Sequence, residues 1–300
     1  MKVLITGATG LIGSALVKEL QAKGYTINYL TTSKDKIDTK PNYKGFYWNP
    51  ENNEIDESCI DGVEAIIHLA GASIAKRWTK SYKEEILTSR IITANLLFKT
   101  LLNYNHSVKH FISASGTAIY PESFDTVYDE TAIETATDFL AKVVKVWEKG
   151  ASQFGALGIK VAKIRTGVVY AKNGGAFQEI LKPIKFGLGA VMGSGKQIQS
   201  WIYIDDLVNL YCFTLEHNLD GIYNATAPET INNKEQTKII AKKLNKPLFL
   251  PNIPQFIMKI LLGEMAILLF TSKNLSSKKI FDKGFSFKYP DFKSALNELI

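Results

Sequence analysis

The chain has 300 residues, enough for one large α/β domain or for a large and a small one. Its hydrophobic content of 46% is typical of a globular protein with a sizeable core, and its two distant cysteines indicate neither a disulfide framework nor a metal site. The net charge of +7 is spread along the chain as lysine, which indicates a solvated basic surface or a weak attraction for phosphates, and argues against a nucleic-acid reader.

Residues 2–13 predict a strand, a glycine turn and the start of a helix. Because charged Lys2 leads straight into the strand, we expect no signal peptide, a cytoplasmic location and no membrane partner. The glycines recur at a spacing of three, which allows a tight turn, close approach of a pyrophosphate and packing of the helix on the sheet. A plain turn is the alternative, but the strand–turn–helix context favours a dinucleotide site. The predicted cofactor contacts in this stretch are Gly7, Thr9, Gly10, Leu11, Ile12 and Gly13.

The second predicted strand, Thr26–Thr31, ends without the acidic residue that would hold the 2′-hydroxyl of an NAD ribose. Thr31, Thr32 and Ser33 follow instead, with Lys34 behind them. Hydroxyls and a lysine can bind a 2′-phosphate, so this end of the strand favours NADP, with NAD as the alternative cofactor. An ordinary polar turn is the structural alternative.

A strand over 46–48 and a fourth strand over 65–69 come next. The fourth strand ends in Leu69-Ala70-Gly71, whose small residues leave room for a cofactor, while the preceding His68 is expected to be a packed strand residue. In the following loop, Lys76, Arg77 and Trp78 place two cations beside an aromatic ring, which can hold a phosphate or carboxylate of a substrate. A solvated loop is the equal alternative.

Hydroxyl groups follow the fifth predicted strand, over 108–112, after a helix over 81–104. Ser115, Thr117 and Tyr120 are the candidates for proton transfer, because such chemistry needs hydroxyls at the end of a strand. A helix over 134–154 and a sixth strand over 159–164 complete an alternation that predicts a doubly wound, mainly parallel sheet with helices on both faces.

After residue 170 the composition shifts to a glycine-rich region of long loops. Asp205-Asp206 is expected to cap a helix, and further helices are predicted over 232–244 and 254–270. The last is too short and too charged to span a bilayer, so it is expected to be a packed helix. We predict a dinucleotide-binding domain over 1–170, with 205–225 returning to it, and a substrate-side lobe over 171–300 that includes a small domain over about 247–300.

The motifs together resemble the extended short-chain dehydrogenase/reductase superfamily, and within it the atypical branch named epimerase family proteins. The resemblance rests on the following stretches: Thr6–Gly13, His68–Gly71, Lys76–Thr79, Ser89-Arg90, Arg165–Val169, Gly174-Gly175, Gly193–Gln197, Trp201-Ile202, Asp205–Leu207, Gly263-Glu264 and Gly284–Phe287. It implies a Rossmann-like fold, a substrate-side lobe, a C-terminal domain of unknown function and a nicotinamide dinucleotide. Under it, Arg165 and Val168 are expected at the cofactor, and Lys196 and Trp201 at the substrate.

The superfamily's chemistry uses a tyrosine and, four residues later, a lysine on the helix after the serine-bearing strand. Counting back from Glu148 places these positions at Leu140 and Val144, and the usual serine position falls at Gly116. The only literal Tyr-x-x-x-Lys begins at Tyr289, in the tail, and is treated as coincidence. The resemblance therefore implies the cofactor and leaves the catalytic pair missing.

The expected function is that of an NADP-binding oxidoreductase or epimerase-like protein acting on a small, anionic or sugar-like molecule. Lys76, Arg77, Arg165 and Lys196 are expected to anchor the anionic part. The alternative is a dinucleotide-binding sensor or scaffold that has lost hydride chemistry. No metal is expected, and a homo-oligomer stays open.

Overall fold

The computed structural model describes residues 1–300, in which strands and helices alternate along the first 225 residues. The strands are β1 (Lys2–Thr6), β2 (Thr26–Thr31), β3 (Thr39–Lys40), β4 (Tyr43–Asn49), β5 (Glu54–Ile55), β6 (Ala65–His68), β7 (His110–Gly116), β8 (Lys160–Thr166), β9 (Val168–Ala171), β10 (Gly174–Gly175), β11 (Ile198–Gln199), β12 (Trp201–Tyr203), β13 (Gly221–Ala225) and β14 (Ile231–Asn232). The α-helices are α1 (Leu11–Ala22), α2 (Lys80–Asn103), α3 (Phe139–Ser152), α4 (Ala176–Lys185), α5 (Ile204–Glu216), α6 (Asn233–Lys243), α7 (Gln255–Leu262), α8 (Ile267–Phe270), α9 (Lys278–Asp282) and α10 (Phe292–Leu299).

Seven parallel strands form the centre of the molecule in the order β13-β8-β7-β6-β1-β2-β4, and β3 and β5 pair with β4 as antiparallel edges. Successive strands step outward from β1 to β4 on one side and from β6 to β13 on the other. The strand order therefore reverses between β1 and β6. In doubly wound sheets, ligands bind in the crevice outside the carboxyl ends of the strands at this reversal. The predicted α/β class and Rossmann-like architecture are confirmed.

The core is built on both faces of the sheet. Val3 and Ile5 of β1 belong to a large apolar cluster with α1 and α5, whereas Leu4 belongs to a second cluster that includes Leu97 of α2 and Phe111 of β7. The sequence of a strand that is buried on both faces is a continuous run of apolar residues. Strand β1 has this pattern, which is why its position could be predicted.

Two predicted boundaries move because of specific bonds. The helix predicted from residue 134 begins at Phe139, since the Asp138 carboxylate accepts the N–H of Ala141 at 2.9 Å and caps it. Strand β7 continues past residue 112 to Gly116, because it pairs with β8 as far as Thr166. Its serines therefore lie within the strand, rather than after it.

The prediction of long loops after residue 170 holds for residues 186–197 and was wrong for the stretch before them. The region contains the short strands β9, β10 and β12 and the helix α4, whose Phe177, Leu181 and Ile184 are buried against the large cluster. Apolar residues at this spacing give a helix one buried face. The many glycines and Pro183 concealed that periodicity.

The stretch from 254 to 270 was predicted as one packed helix, and this was also wrong. Helix α7 ends at Leu262, before Gly263, whose φ of +61° favours glycine, and α8 starts only at Ile267. No residue of α7 is buried, and Phe256 and Ile260 are 64% and 73% exposed. None of the helices has the length and apolar character needed to cross a membrane.

Asp205-Asp206 does not cap a helix as predicted, because α5 already starts at Ile204. The carboxylate of Asp206 is buried and accepts the backbone N–H groups of Lys288 and Tyr289, both at 2.8 Å. It thereby attaches the C-terminal segment to α5. Strand β13 pairs with β8 in the main sheet; the division into two lobes stays a prediction.

Replacing Asp206 with alanine should destabilise the protein by about 2–3 kcal/mol, because it leaves the buried N–H of Tyr289 and the part-buried N–H of Lys288 without their charged acceptor. The free energy of unfolding in urea measures the change. Asp205→Ala is the matched control: its side chain is exposed, so the loss should stay below about 1 kcal/mol. Equal losses in the two variants would contradict the role assigned to Asp206.

Candidate functional site

The glycine turn lies at the strand reversal, between the carboxyl ends of β1 and β6. Gly7 has a φ of +71°, and its carbonyl oxygen accepts the N–H of Gly10 at 3.0 Å. A Cβ added to Gly13 would lie 2.1 Å from the same carbonyl oxygen, so only glycine lets α1 start this close to the turn. Gly10 has φ −79°, a backbone conformation that any residue can adopt.

The start of α1 carries unpaired donors. The N–H groups of Leu11, Ile12 and Gly13 have no acceptor in the protein, and Gly10 at the N-cap makes no side-chain bond. Thr9 and Gly10 are exposed beside them. Free N–H groups at the positive end of a helix form a binding place for an anion such as a phosphate.

The end of β6 is bonded directly to this turn. The hydroxyl oxygen of Thr6 accepts the N–H groups of Leu69 and Ala70, each at 3.1 Å. A Cβ on Gly7 would meet the Leu69 carbonyl carbon at 3.1 Å. Leu69, Ala70 and the exposed Gly71 therefore form one wall of the crevice, next to the free N–H groups of α1.

The opposite side of the crevice is the end of β2. Thr31 is buried, and its hydroxyl oxygen accepts the N–H of Ser33 at 3.2 Å. Thr32 and Lys34 are exposed, and the Lys34 amine lies 4.9 Å from the centroid of the Tyr47 ring. Asp35 carries the first carboxylate after β2, and the hydroxyls of Thr32 and Ser33 and the amine of Lys34 precede it in the chain.

His68 is a packed strand residue, as predicted. Its ring is fully buried, with Nδ1 2.8 Å from the Thr6 hydroxyl and the Thr93 hydroxyl 3.4 Å from Nε2. Burial, together with the nearby charge of Arg90, lowers the pKa of His68 to about 3. The imidazole is therefore neutral at ordinary pH and has no access to solvent.

A buried polar network occupies the carboxyl ends of β7 and β8. Arg165 donates from Nε to Glu148 at 2.7 Å and from Nη2 to the other carboxylate oxygen at 3.0 Å. Its Nη1 donates to the Tyr120 hydroxyl at 2.9 Å, and that hydroxyl donates to Oδ1 of Asn224 at 2.8 Å. The Ser115 hydroxyl donates to Glu148 at 2.7 Å. The pKa of Arg165 is raised, because the Glu148 carboxylate outweighs the cost of burial.

This network changes the roles predicted for three residues. Ser115 and Tyr120 are buried, and both hydroxyl protons are donated inside the protein; burial also raises the pKa of Tyr120. Arg165, predicted to anchor an anion, is buried with its guanidinium held by Glu148 and Tyr120. Thr117 is half-buried, and its hydroxyl makes no hydrogen bond to the protein, so it is the free hydroxyl of the three candidates.

The positions that the superfamily gives to its tyrosine and lysine lie on α3. Val144 is buried, and its Cγ2 lies 3.3 Å from where a Cβ on Gly116 would stand. Leu140 packs in an apolar cluster with Trp78 and Met265. At Leu140 and Val144, where counting back from Glu148 predicts the superfamily's tyrosine and lysine, α3 therefore carries no hydroxyl and no amine.

Two of the predicted substrate contacts are structural residues. Trp201 is fully buried, donates to the Glu229 carbonyl at 3.0 Å and stacks on Tyr170, so it has no surface to offer a substrate. Trp78 is 8% exposed, donates to the Ile74 carbonyl at 2.9 Å and packs edge-on against Phe139.

The predicted substrate lysines and arginine lie at the surface. Lys76, Arg77 and Lys196 are exposed, and none has an acidic partner within 4.0 Å.

Val168 is half-buried at the start of β9 and donates its N–H to the Ser200 carbonyl at 2.9 Å. Asn224 was missed by sequence reasoning altogether, because nothing in the local pattern of a strand distinguishes a bonded asparagine.

The family model of the NAD dependent epimerase/dehydratase family matches residues 3–226, and a domain of unknown function, DUF1731, matches residues 253–299. An epimerase family protein of Staphylococcus saprophyticus is 36% identical over 298 residues, which are 99% of this chain and 98% of that protein. One from Staphylococcus epidermidis is 33% identical over 300 residues, 100% and 99% of the two chains.

Two solved structures are similar over the whole chain. The human epimerase family protein solved with NADPH has a TM-score of 0.85 at 28% identity, covering 100% of this chain and 99% of that one. The nucleoside-diphosphate sugar epimerase of Corynebacterium glutamicum has a TM-score of 0.80 at 28% identity, covering 100% of this chain and 58% of that one.

The buried His68 should make the fold weaker in acid. Its folded pKa of about 3 lies below the model-peptide value of 6.5, so between these values the unfolded chain binds a proton that the folded chain does not. Stability is fully present above pH 6.5 and falls as the pH is lowered, by about 2 kcal/mol from pH 7 to pH 5 from this group. Urea unfolding at both pH values should show a smaller loss in His68→Asn than in the unchanged chain. The control His217→Asn, at an exposed histidine, should keep the full loss; an unchanged loss in His68→Asn would contradict the assignment.

Proposed function

The chain belongs to the NAD dependent epimerase/dehydratase family, and on that basis we propose that it binds NADP(H) and acts on a small anionic molecule of the sugar-nucleotide kind. The observation that carries the cofactor proposal is the row of free N–H groups of Leu11, Ile12 and Gly13 at the strand reversal. They can bind a pyrophosphate. Gly13 lets the start of α1 pack against the glycine turn, and Gly10 has no side chain that would block the pyrophosphate.

The rest of the cofactor fits along the crevice. We assign the adenosine half to the end of β2 at Thr31–Ser33, and the nicotinamide half to the wall formed by Leu69, Ala70 and Gly71, with Val168 beyond it. The nicotinamide group would supply hydride transfer at its C4. The human relative solved with NADPH supports this assignment, since it is similar over the full length of the chain.

The proposed preference for NADP rests on charge at the end of β2. Thr32, Ser33 and Lys34 offer hydroxyls and an amine, with no carboxylate among them to repel a 2′-phosphate. A charge-assisted bond to phosphate is stronger than one between neutral groups.

NADPH should therefore bind at least about tenfold more tightly than NADH, which corresponds to one charge-assisted contact. Calorimetric titration of both cofactors measures the difference, and Lys34→Gln should reduce it. Gly10→Val is the control for the site. Its backbone conformation suits valine, and the new Cβ would stand 3.3 Å from the Gly7 carbonyl oxygen, which a shift of a few tenths of an ångström relieves, so the fold should survive while the branched side chain blocks both cofactors. Equal affinity for NADPH and NADH would refute the preference; binding that persists in Gly10→Val would place the phosphates elsewhere.

The substrate proposal rests on three exposed cations that form no salt bridge. Lys76 and Arg77 follow the wall at Gly71 and have no acidic partners, and Lys196 is a third unpaired cation in the C-terminal half. We propose that they bind the anionic part of the substrate, and that the lobe over 171–300 covers it. The similarity to a nucleoside-diphosphate sugar epimerase supports this class of molecule.

The chemistry that the chain itself can supply is limited. Leu140 and Val144 offer no acid, base or cation, so we propose that the usual Tyr-x-x-x-Lys pair is absent. Ser115 and Tyr120 position the Glu148–Arg165 pair, and Thr117 alone has a hydroxyl free to donate to a reacting oxygen. The same observations support the second candidate, a binding protein for NADP(H) without turnover, which a turnover assay separates from the first.

A panel of nucleotide sugars should give little NADPH oxidation or epimerisation, since general acid–base help is worth about 10²–10⁴-fold in rate. If a substrate is found, Thr117→Val should lower kcat, because it removes the free hydroxyl. The control Thr88→Val, at an exposed position on α2, should leave kcat unchanged. Brisk turnover of a common nucleotide sugar that is insensitive to Thr117→Val would overturn both the missing pair and the role of Thr117.

A further inference from the structure

One side of helix α7 exposes a stripe of large apolar side chains to solvent. The stripe consists of Phe256, Ile257, Ile260 and Leu261, which are between 39% and 73% exposed. Residues four apart on a helix are neighbours along its surface, so the four side chains form one continuous face. Met258 and Leu262, on the opposite side of the helix, are half-buried. The helix therefore packs on the protein through one side and leaves a second apolar side uncovered.

The apolar surface continues beyond α7 onto two segments that lie side by side, residues 186–193 after α4 and residues 248–253 before α7. The N–H of Ile253 donates to the Val191 carbonyl at 2.8 Å, and Leu248 lies 2.9 Å from where a Cβ on Gly189 would stand. The exposed large apolar side chains of these segments are Phe186, Leu188, Phe249 and Leu250. We call these four and the stripe of α7 the apolar patch. A single exposed apolar residue needs no explanation, but a patch of this extent marks an interaction site.

The chain around the apolar patch is strongly basic. Residues 180–203 and 236–263, which contain the whole patch, include no aspartate or glutamate. Glu179 and Glu235 precede these stretches, in the first turns of α4 and α6. Glu264 follows them and is paired with Lys83 at 2.6 Å. The lysines of the two stretches are all exposed: Lys182, Lys185, Lys196, Lys238, Lys242, Lys243, Lys246 and Lys259. Apolar side chains together with such cations are complementary to the surface of an anionic bilayer.

A second copy of the chain is a less suitable partner for the apolar patch. In a two-fold dimer the same patch belongs to both subunits, so the lysines of one subunit would face the lysines of the other. Like charges across an interface oppose association, and neither stretch offers a carboxylate that could offset them. A bilayer that contains acidic lipids offers the opposite charge and an apolar interior together.

We propose that the apolar patch binds the surface of an anionic lipid bilayer. The stripe of α7 enters the boundary between headgroups and acyl chains to a depth of about 5–10 Å, and the exposed lysines contact lipid phosphates. From the sequence no membrane partner is expected, and no helix has the length and apolar character to cross a membrane. Binding to the surface requires no spanning segment. It requires apolar side chains that the fold leaves exposed, and local sequence patterns do not reveal exposure.

Flotation with lipid vesicles tests the proposal on the full chain. We expect binding to vesicles made of equal parts of phosphatidylcholine and phosphatidylglycerol, and at least about tenfold weaker binding to vesicles of phosphatidylcholine alone. Raising the ionic strength from about 0.01 M to about 0.15 M shortens the Debye length from about 30 Å to about 8 Å, so it should weaken binding to the mixed vesicles.

Two pairs of substitutions separate the apolar and the electrostatic contributions. Phe256→Ser combined with Ile260→Ser should weaken binding to the mixed vesicles by about 100-fold, since each lost side chain accounts for about tenfold or more. Lys246→Gln combined with Lys259→Gln should weaken it by about tenfold and leave the binding to phosphatidylcholine unchanged.

Leu102→Ser is the matched control, because Leu102 is 60% exposed at the far end of α2. It lies about 28 Å along that helix from Lys83, the partner of Glu264. Its affinity for the mixed vesicles should stay within about twofold of that of the unchanged chain. All variants should keep the urea midpoint of the unchanged chain, because the replaced side chains are exposed.

Three results would overturn the proposal: no binding to either kind of vesicle, equal binding to both, or the same loss in Leu102→Ser as in Phe256→Ser/Ile260→Ser. Light scattering without vesicles tests the other occupant. A dimer that dissociates in Phe256→Ser/Ile260→Ser would assign the apolar patch to a second copy of the chain and reject the bilayer. None of these measurements involves NADP(H), so their outcome is independent of the proposed cofactor.

Discussion

The buried ion pair between Glu148 and Arg165 is the interaction on which the site depends. Removing two charges from water is costly, and the pair is stable only because the remaining bonding positions are filled. Two parallel hydrogen bonds join the pair, and the hydroxyls of Ser115 and Tyr120 complete it. The network joins α3 to the ends of β7 and β8, so it fixes the position of this helix against the sheet.

The same network restricts the chemistry. The sequence predicts the hydroxyls of Ser115 and Tyr120 as proton-transfer groups, but in the structure they form hydrogen bonds to the buried Glu148–Arg165 pair. A hydroxyl whose proton is already donated is a poor acid. In this protein Val144 is buried, Leu140 packs in an apolar cluster, and the hydroxyl of Thr117 makes no hydrogen bond to the protein.

The C-terminal segment is attached to this framework by single residues far away in sequence. Asp206 binds the backbone at 288 and 289, Asn224 donates to the Ser276 carbonyl, and Lys273 donates to the backbone oxygen of Tyr120. Glu264 forms an ion pair with Lys83 at the start of α2. The segment that matches a domain of unknown function is therefore bonded to α5, to β13, to the backbone after β7 and to α2.

The sequence by itself determined the features that depend on neighbouring residues. The strand–glycine–helix unit at the start, the alternation that builds a parallel sheet, the hydroxyl-rich end of β2 and the apolar residues at 140 and 144 are all local patterns. Only the tertiary structure decided which polar groups are free. The sequence predicted Arg165, Tyr120 and Trp201 as site residues. In the structure they are buried, and their hydrogen-bond partners lie 17 to 104 positions away in the sequence. A side chain's hydrogen bonds and burial are set by elements that the fold brings together, and no local period or spacing carries that information.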